Sequence, residues 1–520
     1  MGRWAAARWE RGQTLMFPPT LEEVIGEDHP VRLFAEILAR RDWQAWESQY
    51  VLAVGQPPIH PRVVAGAILY GLSLGIRSSR RLEWACKNSL DFIWLVEGRT
   101  IDHATFCQFR TRFGAELKGL FRQLCQTAMA LGLIRLNQVA LDGTRVGANS
   151  SRHETRSAAD LEQRLAALDE QIARMLSEAQ AADQQENQLW GEAVSPNHLP
   201  RALANLRQRQ EKLAQALGAA QRRQAEQPAA ARAPKVPVAD PEATIQPNKN
   251  GGFAPNYTPM ATVDGQRGFI VDADVLADHS EATVTVATVQ HLQETLGQAP
   301  GQLLADTAHA TGDNLEQLAA AGVEAYIPLN LRADGPDNPA HRPDPAAPVA
   351  QADWPRLPRN PQNGKLDRAA FVFAADTDSY YCPLGQRLSF NHCQNKHRPR
   401  GGGLYRVYQG TACPTCPLRA ECLAGRSPYR TVFREEYEEL REAMDRRMQS
   451  PEGQKIYRRR KWIAETPFAF IKSWMHLRQF LLRGLAKVKT EWLWACTAYN
   501  LSKLARALGA LRRELAVLLA

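Results

Sequence analysis

Three acidic residues in distant parts of the chain have types and positions that suit metal-dependent chemistry. Asp142 and Asp306 each end a short apolar run that reads as a buried strand. A side chain at the end of such a strand emerges at the edge of the sheet, where ligands commonly bind. Glu465 is the only acidic residue among the basic residues of 453–490. These three carboxylates are therefore the first candidates for a catalytic site.

Carboxylate oxygens are the ligands that Mg²⁺ prefers, and the bound ion usually keeps several waters. Two such ions about 4 Å apart can activate an attacking oxygen and stabilise a leaving one in phosphoryl transfer. An alternative remains open, because Asp142 and Asp306 could serve only as turn or capping residues. Chain position does not distinguish them from the neighbouring acids Asp272, Asp274, Asp278 and Asp313.

A second group of residues could bind a different metal. Cys382, Cys413, Cys416 and Cys422 include one Cys-x-x-Cys pair, and four thiolates can close a tetrahedral shell around zinc. Such a site would stabilise the local fold, because a site of four cysteines has no open position for a substrate. The alternatives are ordinary buried cysteines, or Cys393 in place of one of the four.

Basic residues are concentrated near the end of the chain. The 520 residues carry a net charge of +9, whereas the segment from Gly453 onward has fourteen Lys and Arg against three acidic residues, a net charge of +11. Four tryptophans interleave with these charges: Trp462, Trp474, Trp492 and Trp494. This pattern predicts a polyanion such as DNA as partner, although a solvated face of an amphipathic helix is the alternative.

The basic side chains around Glu465 would share one helical face if the helix is continuous. Lys461 lies four positions before Glu465, and Lys472 lies seven positions after it. Thr466-Pro467, however, resembles an N-cap followed by proline, so a new helix could start directly after Glu465.

The elements that must position these residues form several predicted domains. Residues 1–133 read as a helical domain that carries Arg80, Arg81 and Arg110 and could bind DNA, or could serve packing or dimerisation. Residues 134–330 and 450–505 predict an α/β domain with strands at Tyr257–Val263, Phe269–Leu276 and Val323–Leu329.

Two segments interrupt the α/β domain. Residues 150–255 predict a helical hairpin followed by a Pro/Ala-rich linker. Its leucine-rich heptad positions are Leu161, Leu165, Leu168, Ile172, Met175, Leu203, Leu206, Leu213 and Leu217. Residues 331–449 begin with a proline-rich stretch and contain the four cysteines, which predicts a zinc-ribbon-like insertion.

Several classes of protein are excluded. The longest uncharged apolar stretch, Val63–Ile76, is too short to cross a bilayer. The first residues contain no apolar core of signal-peptide length, so we expect a cytoplasmic, nucleoid-associated protein without disulfides and without a membrane partner.

Taken together, the motifs resemble the DDE transposases of bacterial insertion sequences. The motifs that carry the resemblance are Gly12–Pro18, His103–Arg110, Leu141–Arg145 with Ala148–Ser151, Leu304–Ala308, the set Tyr457, Arg460, Glu465 and Lys472, then Phe480–Gly484 and Tyr499–Leu501. The sequence departs from the family in three places, one of which is the heptad-bearing insertion, which is longer and richer in alanine than expected. Lys461, rather than Arg460, has the usual spacing to Glu465, and His309 stands where an aromatic residue is expected.

The resemblance implies a ribonuclease H-like, retroviral-integrase-like catalytic domain in which Asp142, Asp306 and Glu465 bind two Mg²⁺ or Mn²⁺ ions. It implies that Tyr457, Arg460 or Lys461, and Lys472 contact the transposon end. The expected activity is strand cleavage at terminal inverted repeats and strand transfer into target DNA, with a homodimer as the active form. The alternatives are a related nuclease without strand transfer and a non-catalytic, zinc-containing DNA-binding protein.

Overall fold

A computed structural model describes residues 20–50, 57–190, 201–226, 233–248, 251–278, 280–329, 337–396, 403–423 and 427–519. The Gly12–Pro18 motif lies outside these ranges. The chain divides into two compact units, and we describe each by itself. Unit 1 contains Met1–Glu281, Gln290–Gln298 and Lys461–Ala520, whereas unit 2 contains Ala282–Val289 and Ala299–Arg460.

The N-terminal part of unit 1 is helical, as its periodicity predicts. Local signals start several of these helices. Ser78 and Asp102 accept hydrogen bonds from the backbone N–H groups of Arg81 and Thr105, respectively. The helices are α1 Leu21–Val24, α2 Pro30–Ala39, α3 Gln44–Glu47, α4 Pro61–Ser73, α5 Ser79–Asn88, α6 Leu90–Leu95, α7 His103–Arg112 and α8 Gly114–Ala130.

The strands of unit 1 pair around one long central strand. Their bounds are β1 Gln138–Gly143, β2 Val146–Gly147, β3 Thr155–Arg156, β4 Val236–Pro237, β5 Thr244–Pro247, β6 Phe253–Asp264 and β7 Ile270–Leu276. Strand β6 pairs antiparallel with β1, β2, β5 and β7. The predicted hairpin at 257–276 is therefore present as β6 and β7, and the register places Asp142 opposite Ala261.

Two long helices follow β3, α9 Ala158–Trp190 and α10 Arg201–Ala225. All nine predicted heptad residues belong to one apolar cluster between them. The helices are antiparallel, because Glu162 is bonded to Gln221 whereas the later Asp169 is bonded to the earlier Gln210.

Unit 2 contains a short parallel strand pair and a five-stranded antiparallel sheet. Helix α11 Thr285–Leu296, which follows a 3₁₀ turn at Glu281–Val284, is divided between the two units, since Gln290–Gln298 belongs to unit 1. The other elements of unit 2 follow in chain order: β8 Gln302–Leu304, α12 Gly312–Ala320, β9 Glu324–Tyr326, β10 Val372–Ala374, β11 Ser379–Tyr381, β12 Arg387–Lys396, β13 Gly403–Gly410, α13 Arg419–Cys422, β14 Thr431–Glu435 and α14 Glu438–Gln449. Strands β8 and β9 are parallel, whereas β10 to β14 pair with their neighbours in chain order. The predicted strand at Val323–Leu329 is thus present in shortened form as β9.

The chain ends with α15 Pro451–Ala469, a π-helical turn at Phe470–Trp474 and α16 Leu485–Leu519. Helix α16 packs against α2, α4, α8 and β7 within unit 1. Trp492 and Asn500 are buried there, and the Trp492 ring N–H donates to the Met260 carbonyl (3.0 Å). No helix in the described ranges combines the length and hydropathy needed to cross a membrane.

Candidate active site

Asp142 lies at the end of β1, in a turn that a lysine holds in place. Its Oδ1 accepts a hydrogen bond from the Gly143 N–H (3.0 Å), which orients the carboxylate. The Lys472 ammonium donates to the Thr144 hydroxyl and to the Arg145 carbonyl (2.8 Å). Lys472 therefore fixes the residues directly after Asp142 and adds positive charge beside this acid.

Gly143 allows a second carboxylate to approach this strand end. A Cβ atom at Gly143 would lie 2.7 Å from the Glu281 carboxylate and 2.7 Å from the Met260 sulfur. A larger residue would displace the ends of both side chains, so the glycine permits this close approach. Glu281 is thereby a further acidic group near the end of β1, and sequence reasoning did not identify it.

Asp306 lies in unit 2, two residues after β8. Its Oδ1 accepts a hydrogen bond from the Ala308 N–H (2.9 Å), so the predicted capping contact is present. Its Oδ2 lies 3.9 Å from the Arg460 guanidinium. The Asp306 side chain remains 41% exposed, against 17% for Arg460, so the carboxylate is accessible in spite of these two contacts.

His309 follows Asp306 in the same 3₁₀ turn and is fully buried. Its Nδ1 lies 2.8 Å from the Thr285 hydroxyl, and its Nε2 lies 3.8 Å from Asp306 Oδ1. Asn314 braces the turn, since its side-chain amide donates to the Thr285 oxygen (3.1 Å) and to the His309 carbonyl (3.0 Å).

Helix α15 is continuous through Glu465, so the alternative of a new helix after Glu465 is wrong. Pro467 lies inside the helix, and the Thr466 hydroxyl bonds back to the Trp462 carbonyl (2.7 Å) rather than capping a new N-terminus. Glu465, Lys461 and Trp462 are exposed. Arg460, which contacts Asp306, therefore lies on the same helix as Glu465. Tyr457 lies about one turn before Arg460 and is half-buried.

The three N-terminal arginines occupy different environments. Arg80 and Arg81 are exposed on α5. Arg110 instead donates to the Arg77 carbonyl, its own carbonyl accepts from the Trp494 ring N–H (3.2 Å), and burial lowers the pKa of its guanidinium. Arg80 and Arg81 can thus reach a phosphate from their present positions, whereas Arg110 holds the turn before α5.

Two motifs that carried the family resemblance contact each other within unit 1. The Asn149 side chain donates to the Leu481 carbonyl (2.6 Å), and the Arg483 guanidinium donates to the Asn149 carbonyl (2.9 Å). A third motif has a similar role. The Asn500 amide accepts from the Ile270 N–H (3.0 Å) and donates to the Ile270 carbonyl (2.7 Å), as a neighbouring strand would. These motifs therefore serve the fold.

The four cysteines of the predicted zinc site line one cavity of about 260 Å³ in unit 2. Backbone N–H groups of Leu384 and Gln386 donate to the Cys382 sulfur, and that of Arg430 donates to the Cys413 sulfur (3.4 Å). Burial raises the pKa of the Cys382 and Cys416 thiols, and that of Cys422 to about 11. No three of the four sulfur atoms, all of them in described segments, lie within 4.8 Å of one another.

Comparison with known families gives two matches. Residues 19–112 match the transposase domain DUF772, and residues 381–505 match a transposase DDE domain. The matches define the class of the protein, which is a transposase enzyme. They also confirm the resemblance to a DDE transposase of an insertion sequence. No curated protein and no solved structure matches the chain. The DDE match contains Glu465 and the four cysteines but begins after Asp142 and Asp306.

Sequence reasoning missed three polar residues around the predicted acids: Glu281, Thr285 and Asn314. Only the approach of Glu281 had a signal in the sequence, because a glycine directly after a strand-end acid indicates that another group packs closely against the strand. Thr285 and Asn314 lie on helices with ordinary periodicity, and nothing local marks them.

Proposed function

We propose that this transposase cleaves DNA at the ends of an insertion sequence and joins the freed 3′ ends to target DNA. The metal-binding carboxylates are Asp142, Asp306 and Glu465. The observation that carries the proposal is helix α15, which bears both Arg460, 3.9 Å from Asp306, and Glu465. Lys472, seven residues further, holds the turn after Asp142.

The donor set fits a hard divalent cation, because Asp142 and Asp306 are each oriented by a backbone N–H and still have lone pairs for an ion. A pair of Mg²⁺ or Mn²⁺ ions supplies, when bound, activation of the attacking oxygen and stabilisation of the leaving oxygen. Arg460 offsets the negative charge of the Asp306 carboxylate, and Lys472 fixes the residues directly after Asp142. Lys461, Arg80 and Arg81 are exposed cations that bind DNA phosphates, and Tyr457 on α15 is a further DNA contact. No covalent protein intermediate is required.

The test is a cleavage and joining assay on DNA that carries the terminal repeats flanking the gene. We expect Asp142→Ala, Asp306→Ala and Glu465→Ala each to lower metal-dependent cleavage by about 100-fold or more, because each removes charge stabilisation in the transition state. Binding of the DNA ends should persist. Asp274→Asn is the control, since Asp274 forms a surface ion pair with Lys489 (2.7 Å) and should leave cleavage unchanged.

The same assay separates the alternatives. Cleavage without joined product would identify a nuclease, and end binding without cleavage in the wild type would identify a non-catalytic DNA-binding protein. Full cleavage by all three alanine variants would refute the assigned carboxylates. Absence of imperfect inverted repeats around the gene would argue against transposition.

Pairing of two transposon ends requires more than one active site, so the proposed active form is a homodimer on DNA. Helices α9 and α10 are the candidate contact. Light scattering of the protein bound to paired ends should give two chains per complex, and a single chain would contradict the proposal.

We infer in addition that Cys382, Cys413, Cys416 and Cys422 bind structural zinc. The Cys382 and Cys413 sulfurs each accept backbone hydrogen bonds, which orient them as metal ligands are usually oriented. Binding draws the sulfurs closer together and releases the protons that burial retains on the thiols.

Metal analysis of the purified protein tests this inference. We expect one zinc per wild-type chain and its loss in Cys416→Ser. Cys393→Ser is the matched control, because Cys393 is exposed on β12, and it should retain zinc. A wild-type protein without zinc, or one that loses it equally in both variants, would contradict the assignment.

A further inference from the structure

His309 lies close enough to Asp306 for the two side chains to bind the same metal ion. Asp306 is the N-cap of the 3₁₀ turn Thr307–His309 and lies three positions before His309. An aromatic residue is the type expected at position 309 from the family resemblance. Histidine differs from it by offering a ring nitrogen, which here faces Asp306 Oδ1 at 3.8 Å.

The hydrogen bonds around Thr285 determine which ring nitrogen carries the proton. The Thr285 hydroxyl is placed to donate to the Ala282 carbonyl (3.0 Å), which also accepts from the Asn314 side chain (2.9 Å). The hydroxyl group has only this one hydrogen to donate. The Thr285 oxygen therefore accepts from His309 Nδ1 and from the Asn314 amide. We assign the ring proton to Nδ1 on this basis, which leaves the lone pair on Nε2.

This arrangement is the one found around metal-binding histidines. Such a histidine almost always donates its other ring N–H to a polar partner, which fixes the tautomer and the ring orientation. The partner here is Thr285, held by Asn314. Two ligand atoms can share one ion with bonds of about 2.1 Å when they lie up to about 4.2 Å apart. The separation of His309 Nε2 from Asp306 Oδ1, 3.8 Å, is within that limit.

We infer that His309 Nε2 is a nitrogen ligand to the ion held by Asp306, and that this site therefore prefers Mn²⁺ to Mg²⁺. Imidazole binds transition metals better than it binds Mg²⁺, whereas carboxylates accept both. The inference rests on the proposed role of Asp306. It adds a residue and a metal preference that the three carboxylates do not provide. Thr285 and Asn314 are positioning residues in this arrangement.

Pulsed electron paramagnetic resonance of the full chain with less than one equivalent of Mn²⁺ tests the inference without relying on activity. The wild-type spectrum should contain coupling to ¹⁴N, which becomes ¹⁵N coupling after labelling with ¹⁵N-histidine. In His309→Gln the nitrogen coupling should disappear, and calorimetric titration should give an Mn²⁺ affinity lower by at least about tenfold. The Mg²⁺ affinity should change less, because the glutamine carbonyl still offers an oxygen.

Two further variants test the inference that His309 is a metal ligand. Thr285→Val should weaken Mn²⁺ binding by about 10- to 100-fold, because the imidazole loses the partner that orients it. His291→Gln is the matched control, since His291 is bonded to Asp272 on β7, and it should keep the wild-type nitrogen coupling. Thr285→Val also remains informative if His309→Gln does not fold.

Failure of this inference is distinguishable from failure of the proposed function. If Asp306→Asn abolishes Mn²⁺ binding but the wild-type spectrum has no nitrogen coupling, His309 is not a ligand and the carboxylate assignment stands. Nitrogen coupling that persists in a folded His309→Gln variant would also overturn the inference. If Asp306→Asn changes neither Mn²⁺ binding nor cleavage, both the inference and the assignment of Asp306 are wrong.

Discussion

His291 and Asp272 form a partly exposed ion pair within unit 1 at 2.7 Å. The hydrogen bond to Asp272 raises the pKa of His291 above its ordinary value of about 6.5. A histidine whose pKa is higher in the folded than in the unfolded state stabilises the fold fully below the unfolded pKa. This contribution is lost as the pH rises through the folded pKa.

We therefore expect the stability difference between the wild type and His291→Gln to be larger at pH 6 than at pH 8.5. Urea unfolding monitored by tryptophan fluorescence at both pH values measures this difference. An equal difference at both values would show that protonation of His291 does not contribute to stability.

At the residue scale, the sequence indicated the candidate metal-binding acids but not the side chains that surround them. Asp142 and Asp306 could be selected because an apolar run followed by an acid is a local pattern. The contact of His309 with Thr285 joins residues 24 positions apart, and the approach of Glu281 to Gly143 depends on packing between distant segments. Such contacts are properties of the tertiary fold.

At the scale of elements, the turn Cys382–Gln386 is held by one glycine. Gly385 has φ +72°, and a Cβ atom there would overlap the carbonyl oxygen of Ala346. Gly364 has a similar φ of +66° but no atom within 4 Å of an added Cβ. Substitution of Gly364 therefore adds only backbone strain, whereas substitution of Gly385 adds both backbone strain and steric overlap.

Gly364→Ala should cost about 1–2 kcal/mol, because only the left-handed backbone is strained. Gly385→Ala should cost more and should also accelerate the loss of zinc to a chelator, because the turn carries Cys382. Calorimetry and zinc release of both variants check this expectation, and equal behaviour of the two would contradict it.

Some helices and strands could be predicted from the sequence, whereas the continuity of others could not. The hairpin of β6 and β7 and the helix pair of α9 and α10 follow from strict alternation and from heptads, which are strong periodic signals. The continuity of α15 was undecided, since Thr466-Pro467 is compatible with both a helix start and a helix interior. Packing resolves it, because Ile463, Ala464 and Phe468 are buried on one side of the helix across the proline.

At the scale of the whole molecule, the excess of positive charge near the C-terminus predicts salt-dependent DNA binding. Lys455 and Arg458 are exposed on α15. If both contact phosphates, Lys455→Gln with Arg458→Gln should reduce the slope of log affinity against log salt by about 1.8, equally for all DNA sequences. Arg209→Gln with Lys212→Gln on α10 is the control of equal charge change. Titration with labelled DNA at several salt concentrations measures both slopes, and an unchanged slope in the α15 variant would exclude these contacts.

Unit 1 is completed by the last segment of the chain, since α16 supplies Trp492 and Asn500 to its core. During translation, β6 and β7 leave the ribosome long before these residues exist. The nascent chain must therefore wait, with this apolar surface uncovered, until synthesis has passed residue 500. Premature termination before that point would leave this core incomplete, so a chain truncated before Trp492 should be less stable than the full chain.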